Sequence, residues 1–240
     1  MLWYKAWLET RARFLMLAVV TALSAWYLSP EVLRAMLARG KSTALPGTYT
    51  VVSLRFGWMI WPMIAVLMAG AGINTQTFRG VTHGVHPSML FTLSLPVRRR
   101  RLMGVRAAAG AIEAIVLIAV SCLVLWTISA DLRLRAGWKG LAFYLLTTIV
   151  AVSVFYCVSL LLATFLDESW HSNSVFLMLG AIVMLREVPF RNPISALVAS
   201  FANVNAILQG QLPWGAMACC GLISAVLVLA AAAVVERKRY

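Results

Sequence analysis

The 240-residue sequence predicts an all-α integral membrane protein: one transmembrane domain over residues 1–240, with six membrane-spanning helices. Three observations carry that prediction. Hydrophobic residues make up 62% of the chain and charged residues only 12%, against roughly 45–50% and about 25% in a soluble domain. Mean hydropathy is +0.86, more apolar surface than a soluble fold of this size can hide. The apolar residues also fall into long runs with tryptophans near their ends, the layout of helices crossing a bilayer. These features exclude a soluble enzyme, a disordered chain and a disulfide-stapled secreted module.

Each element follows in order. The N-terminal stretch Trp3–Arg13 carries Trp3, Tyr4, Trp7, Arg11 and Arg13 and reads as an interfacial helix, with Trp3, Trp7, Arg11 and Arg13 as anchors. Its basic residues ahead of an apolar run resemble a signal peptide. Aromatic residues and Glu9 fit an interfacial helix better, so an intact N-terminus is expected. Spans are predicted over 14–29, 56–73, 105–130, 140–166, 172–185 and 215–235, the fifth of them short. Trp26, Trp58, Trp61, Trp126, Trp138, Trp170 and Trp214 fall near span ends, as an aromatic belt does. Residues 194–212 are apolar but hold Asn203, Asn205, Gln209 and Gln211, so they read as a re-entrant or interfacial helix, with a seventh span as the alternative. No internal repeat, low-complexity tract or second domain is visible.

Orientation follows from charge. Six spans place both termini on one side, and with the N-terminus inside, 12 of the 21 Lys and Arg residues are inner, including the densest clusters. That favours cytoplasmic N- and C-termini. The longest inner loop is then residues 74–104.

The net charge of +13 reads as span-flanking cations facing anionic headgroups, with membrane lipid and not nucleic acid as the partner. Cys122, Cys157, Cys219 and Cys220 lie in apolar runs without a C-x-x-C pair and read as small core residues. His83 and His86 are three apart in the inner loop, but no acid or cysteine lies nearby to complete a metal site, so no metal is expected. With His171 they form no hydrolytic triad either, so no catalytic residue is assigned. The stretch Gly40-Lys41-Ser42-Thr43 lacks the earlier glycine of a phosphate-binding loop, since position 35 is Ala35. No other nucleotide-binding fingerprint is visible, so any ATP used is expected to be bound by another polypeptide.

Two features remain. Glu113 lies about a third of the way along the third span, two helical turns after Arg106. An ionised carboxylate in hydrocarbon costs several kcal/mol and must face protein, water or a cation. It reads either as a polar contact in a path through the membrane or at a subunit seam, or as a packing salt bridge, with Arg106 as one partner. Ala107, Gly110, Ala111 and Ala114 give the same helix a small-residue face for close packing. The second feature is the inner loop Ser88-Met89-Leu90-Phe91-Thr92-Leu93-Ser94-Leu95-Pro96-Val97, followed by Arg98, Arg99, Arg100 and Arg101. The spacing of Met89, Leu90, Leu93 and Val97 predicts the apolar side of a short helix that Pro96 would end or kink. The arginines anchor the next span at the inner leaflet. This helix either lies on lipid or docks a cytosolic partner.

Phe91-Thr92-Leu93-Ser94-Leu95-Pro96-Val97, the arginine run and Leu102 resemble the inner loop of ABC-2 type transporter permeases. The likeness extends through Arg106, Gly110 and Glu113, where that family often has an Arg, a Gly and a membrane-embedded Glu. The departures are His86-Pro87-Ser88 where many members carry an acid and Gly-Thr, and Arg98 in place of a frequent serine. The resemblance implies the permease subunit of a bacterial ABC exporter in the plasma (inner) membrane, pairing with a second permease subunit as a homo- or heterodimer. It implies that Ser88 to Val97 is the coupling helix to a separate ATPase subunit. That subunit would bind the ATP and Mg, with no cofactor on this chain. The apolar, aromatic spans suggest a hydrophobic or amphipathic cargo. Two other readings stay open: a secondary transporter driven by an ion gradient through Glu113, and a non-transporting membrane scaffold.

Overall fold

The computed structural model describes residues 2–27, 29, 60–69, 99–164, 200–201 and 203–237. All regular structure among them is helical: α1 (Leu2–Tyr27), α2 (Ile60–Ala69), α3 (Arg99–Ile128), α4 (Ala130–Ala163), α5 (Val204–Leu208) and α6 (Trp214–Arg237). Among the described residues, three stretches are long and apolar enough to cross a membrane: Gly104–Ile128, Ala136–Ala163 and Trp214–Val234. The chain is an α-helical membrane protein. Of the expected spans, 172–185 lies outside the described residues, and of 56–73 the part described is Ile60–Ala69.

Side-chain contacts fix the direction of the five longer helices. Taking the end where α1 begins as the lower end, Thr10 of α1 meets Glu113 of α3, and Leu23, Ser24 and Tyr27 border a groove with Ile60 at the other end. α1 therefore rises. α2 descends, because Trp61 Nε1 donates to Tyr144 Oη at 3.3 Å near the top of α4, whereas Ser159 Oγ, near its foot, donates to the Val66 carbonyl at 3.1 Å. α3 rises, and α4 descends beside it, with Tyr156 Oη donating to the Ala107 carbonyl at 2.6 Å. α6 descends as well: Ser224 bonds Ser153 at 2.9 Å, and Met217 and Cys220 pack against Ala151.

The elements form where the sequence lets them. α1 runs unbroken for 26 residues, because nothing from Leu2 to Tyr27 is glycine or proline. The expected interfacial helix and first span are thus one continuous helix, about 39 Å long. Its inner stripe is Ala6, Thr10, Thr21 and Ala25, all buried, with Phe14, Leu17 and Ala18 packed against the core. Leu15, Met16, Val19, Val20 and Leu23 form the opposite, exposed face.

α3 and α4 meet at one residue. Ser129 N–H donates to the Leu125 carbonyl, closing α3, and its Oγ accepts from Leu132 N–H at 3.1 Å, capping α4. The helical conformation breaks at Gly137 (φ 56°, ψ −171°), a backbone shape that L side chains rarely adopt. The fourth helix therefore starts ten residues before the expected Gly140, as a short elbow helix ahead of the span. Of residues 194–212, the part described is 200, 201 and 203–212. Phe201 packs at the level of Ala151, Met217 and Cys220. Asn203 then caps the five-residue α5, accepting from Ala206 N–H at 3.4 Å. Gly210 (φ 89°) ends it. All four amides are exposed. α6 begins at Trp214, one residue from expectation.

α2 lies at the centre. Trp61, Ile64, Ala65, Val66, Met68 and Ala69 are each 2% exposed or less. This corrects one expectation: Trp61 is a core residue, and Trp126 packs partly buried against the same cluster. Trp26 and Trp138 are exposed at the upper end, and Trp3 and Trp7 at the lower end, as belt residues are, and Trp214 is exposed at the start of α6. Cys219 is also exposed, whereas Cys122, Cys157 and Cys220 are in the interior.

Candidate functional site

The two buried charged-type side chains among the described residues, Arg106 and Glu113, lie on one stretch of α3. Arg106, Gly110, Glu113, Ala114 and Leu117 recur at three- and four-residue spacing, so they share a face of the helix. All are buried. Two of them are ionisable and lie within an apolar bundle, where charge is costly and its neighbours are structural or functional by necessity.

Glu113 is 5% exposed. Its Oε1 accepts from the Thr10 hydroxyl of α1, and its Oε2 is buried without a hydrogen-bond partner among the described residues. Thr10 also approaches the Ala6 carbonyl at 3.1 Å, one turn back on its own helix. The packing bond of Glu113 thus runs between helices, to α1. Thr10 had no sequence motif of its own. The signal that locates it is position: it falls between Ala6 and the later Thr21 and Ala25 on one stripe of small residues, which lets α1 approach α3 closely.

The small-residue face behaves as its composition implies. A Cβ on Gly110 would lie 2.8 Å from the Met68 carbonyl oxygen of α2 and 2.8 Å from Tyr156 Oη of α4. The glycine is what lets three helices touch here. Two turns of α3 therefore join α1 through Thr10, α2 through Met68 and α4 through Tyr156. Ser159 ties α4 to α2 beside this joint. Interhelical bonds of this kind average about 0.6 kcal/mol in membranes and reach about 1.7. The joint is held by several weak ties and close backbone contact.

The other predicted site residues fall as follows. Trp3, Trp7 and Arg11 are exposed on α1, Arg13 is half-buried, and Trp7 packs edge-on against Phe14 with ring centres 5.4 Å apart. Arg99, Arg100 and Arg101 form the first turn of α3, and Arg101 is exposed. Ser88, Met89, Leu90, Phe91, Thr92, Leu93, Ser94, Leu95, Pro96, Val97 and Arg98 lie outside the described residues. Among the described residues no three His, Cys, Asp or Glu gather as a metal site would require.

Compared with known proteins, the chain matches no family model, and a search of curated proteins returns no match.

Proposed function

We propose that this chain is the permease subunit of an ABC-2 type exporter, working with a second permease subunit and with separate ATPase subunits that bind ATP and Mg. The observation that carries the reading is the continuity of α3. It runs without a break from Arg99, next to the loop that resembles a coupling helix, through the joint at Gly110 and Glu113 and on to Ile128. A displacement of the loop by a nucleotide-driven ATPase passes along this helix to the residues that tie it to α1, α2 and α4. Two arrangements of such a joint would be the inward and outward states.

The helix directions support the six-span topology. α1, α2, α3 and α4 alternate, but α4 and α6 run parallel, so the chain between them must recross the bundle an odd number of times. A span over 172–185 supplies that crossing, with α5 as a short interfacial cap. The start of α1, the loop before α3 and the end of α6 then share the lower face, which also holds Arg11, Arg13, the Arg99–Arg101 cluster and Arg237. We place this face in the cytoplasm of a bacterial cell, under the positive-inside rule. The cargo is hydrophobic or amphipathic in this reading.

Glu113 supports a second reading. A buried carboxylate with one unpaired oxygen also suits a transporter driven by an ion gradient. One experiment separates the two: purification of the intact chain from native membranes in mild detergent, with mass spectrometry of what stays bound. Recovery of an ATPase, lost in the Leu93→Asp/Leu95→Asp variant, supports the exporter. Recovery of the chain alone, with gradient-dependent and ATP-independent uptake in vesicles, refutes it.

A further inference from the structure

The elbow between α3 and α4 carries an exposed surface distant from the Gly110–Glu113 joint. From Ala130 to Lys139 the sequence is ADLRLRAGWK, with Arg133, Arg135 and Lys139 opposed only by Asp131. Leu132 is 2% exposed and pins the elbow to the core, and the Gly137 break sets it apart from the span. The neighbouring residues point the other way. Leu134 is 86% exposed and Trp138 69%, the former higher than any other large apolar residue among those described. Arg133 and Lys139 are exposed beside them. Arg133 spends one N–H of its guanidinium on the Thr127 carbonyl at 3.0 Å, which fixes its position and leaves its other donors.

Bare leucine and tryptophan interleaved with cations are the pattern of a helix lying in the headgroup layer. The level agrees: Trp26 is exposed at the same end of the bundle, next to the residues that border Ile60, and marks the headgroup depth there. Clustered cations at that depth attract anionic lipid. We propose that the elbow is a docking surface for anionic phospholipid of the leaflet in which it lies. Arg133 and Lys139 receive the headgroup phosphate, and Leu134 and Trp138 enter the acyl layer. The proposal requires no transport activity and stands apart from the exporter reading.

The test uses the full chain with Leu134→benzoylphenylalanine, reconstituted into vesicles of equal parts phosphatidylcholine and phosphatidylglycerol and irradiated. Mass spectrometry of the adducts is expected to show phosphatidylglycerol enriched severalfold over phosphatidylcholine. The enrichment falls to the vesicle ratio with Arg133→Gln/Lys139→Gln and is unchanged by Arg99→Gln/Arg100→Gln/Arg101→Gln, which alters the opposite end. Raised salt, applied to the chain with both cations intact, diminishes it in parallel, so the result does not depend on the folding of a variant. Adducts in the vesicle ratio before any charge is removed, adducts to protein, or no lipid adduct at all would overturn the proposal.

Discussion

Replacing Gly110 by alanine tests the joint where it is tightest. The new Cβ would sit 2.8 Å from the Met68 carbonyl oxygen and 2.8 Å from Tyr156 Oη, so each neighbour must give by about 0.6 Å to reach ordinary contact near 3.4 Å. The tyrosine can swing away, but only by weakening its 2.6 Å bond to the Ala107 carbonyl. The Met68 oxygen belongs to the backbone of the most enclosed helix. Overpacking of this kind costs about 1–3 kcal/mol, and a weakened interhelical bond adds about 0.6–1.7. Alanine returns up to about 1 kcal/mol through better helix propensity. The net expectation is a loss of about 1–4 kcal/mol, read as a lower midpoint in detergent unfolding. Gly104→Ala is the internal control: it lies on the same helix with nothing within 4 Å, and should be neutral or slightly stabilising. Tyr156→Phe removes one of the two obstacles, so Gly110→Ala should cost less in that background. Equal effects for Gly104→Ala and Gly110→Ala, or additivity with Tyr156→Phe, would refute the three-helix contact.

Two further substitutions probe separate features. Thr10→Val keeps the shape of the side chain but removes the donor to Glu113, leaving a buried carboxyl oxygen unsatisfied; a loss of about 1–3 kcal/mol is expected, with Thr10→Ser near the parent and Glu113→Gln inserting normally but impaired in transport. A Thr10→Val protein as stable as the parent would mean that the α1–α3 seam does not depend on this bond. Gly137→Ala places a side chain at φ 56° with nothing within 4 Å, so its cost is conformational, about 1–3 kcal/mol; a gain in thermal stability would show the elbow to be a continuous helix instead.

The parts of the fold legible in the sequence are those set by composition along a single helix. The apolar run ending at Val235 located α6 to within a residue or two, and Ala107, Gly110, Ala111 and Ala114 announced close packing on α3. Charge obscured other boundaries. Arg11 and Arg13 lower the hydropathy of the N-terminal stretch without lowering its helicity, so one helix read as two. Arg133, Arg135 and Lys139 hid the start of α4, although Ser129 is a good capping residue. Partners across helices were not legible. Spacing along α3 could suggest Arg106 for Glu113, but Thr10 is 103 residues away, and only packing brings them together. Trp61 shows the same limit, since a tryptophan at the edge of an apolar run looks alike whether it turns to lipid or to Tyr144.

The enclosure of α2 has a consequence for the order of events during synthesis. Tyr144, the partner of Trp61, lies 83 residues downstream, and Ser159, which binds the Val66 carbonyl, lies 93 residues beyond it. At about 5–20 residues per second, Trp61 waits on the order of 4–17 s after leaving the ribosome before its partner exists. During that interval α1 and then α3 become available to α2, and the side that α4 will cover is free to face lipid or the insertion machinery. The centre of the bundle is thus made early and closed late, and the step that closes it is the arrival of α4.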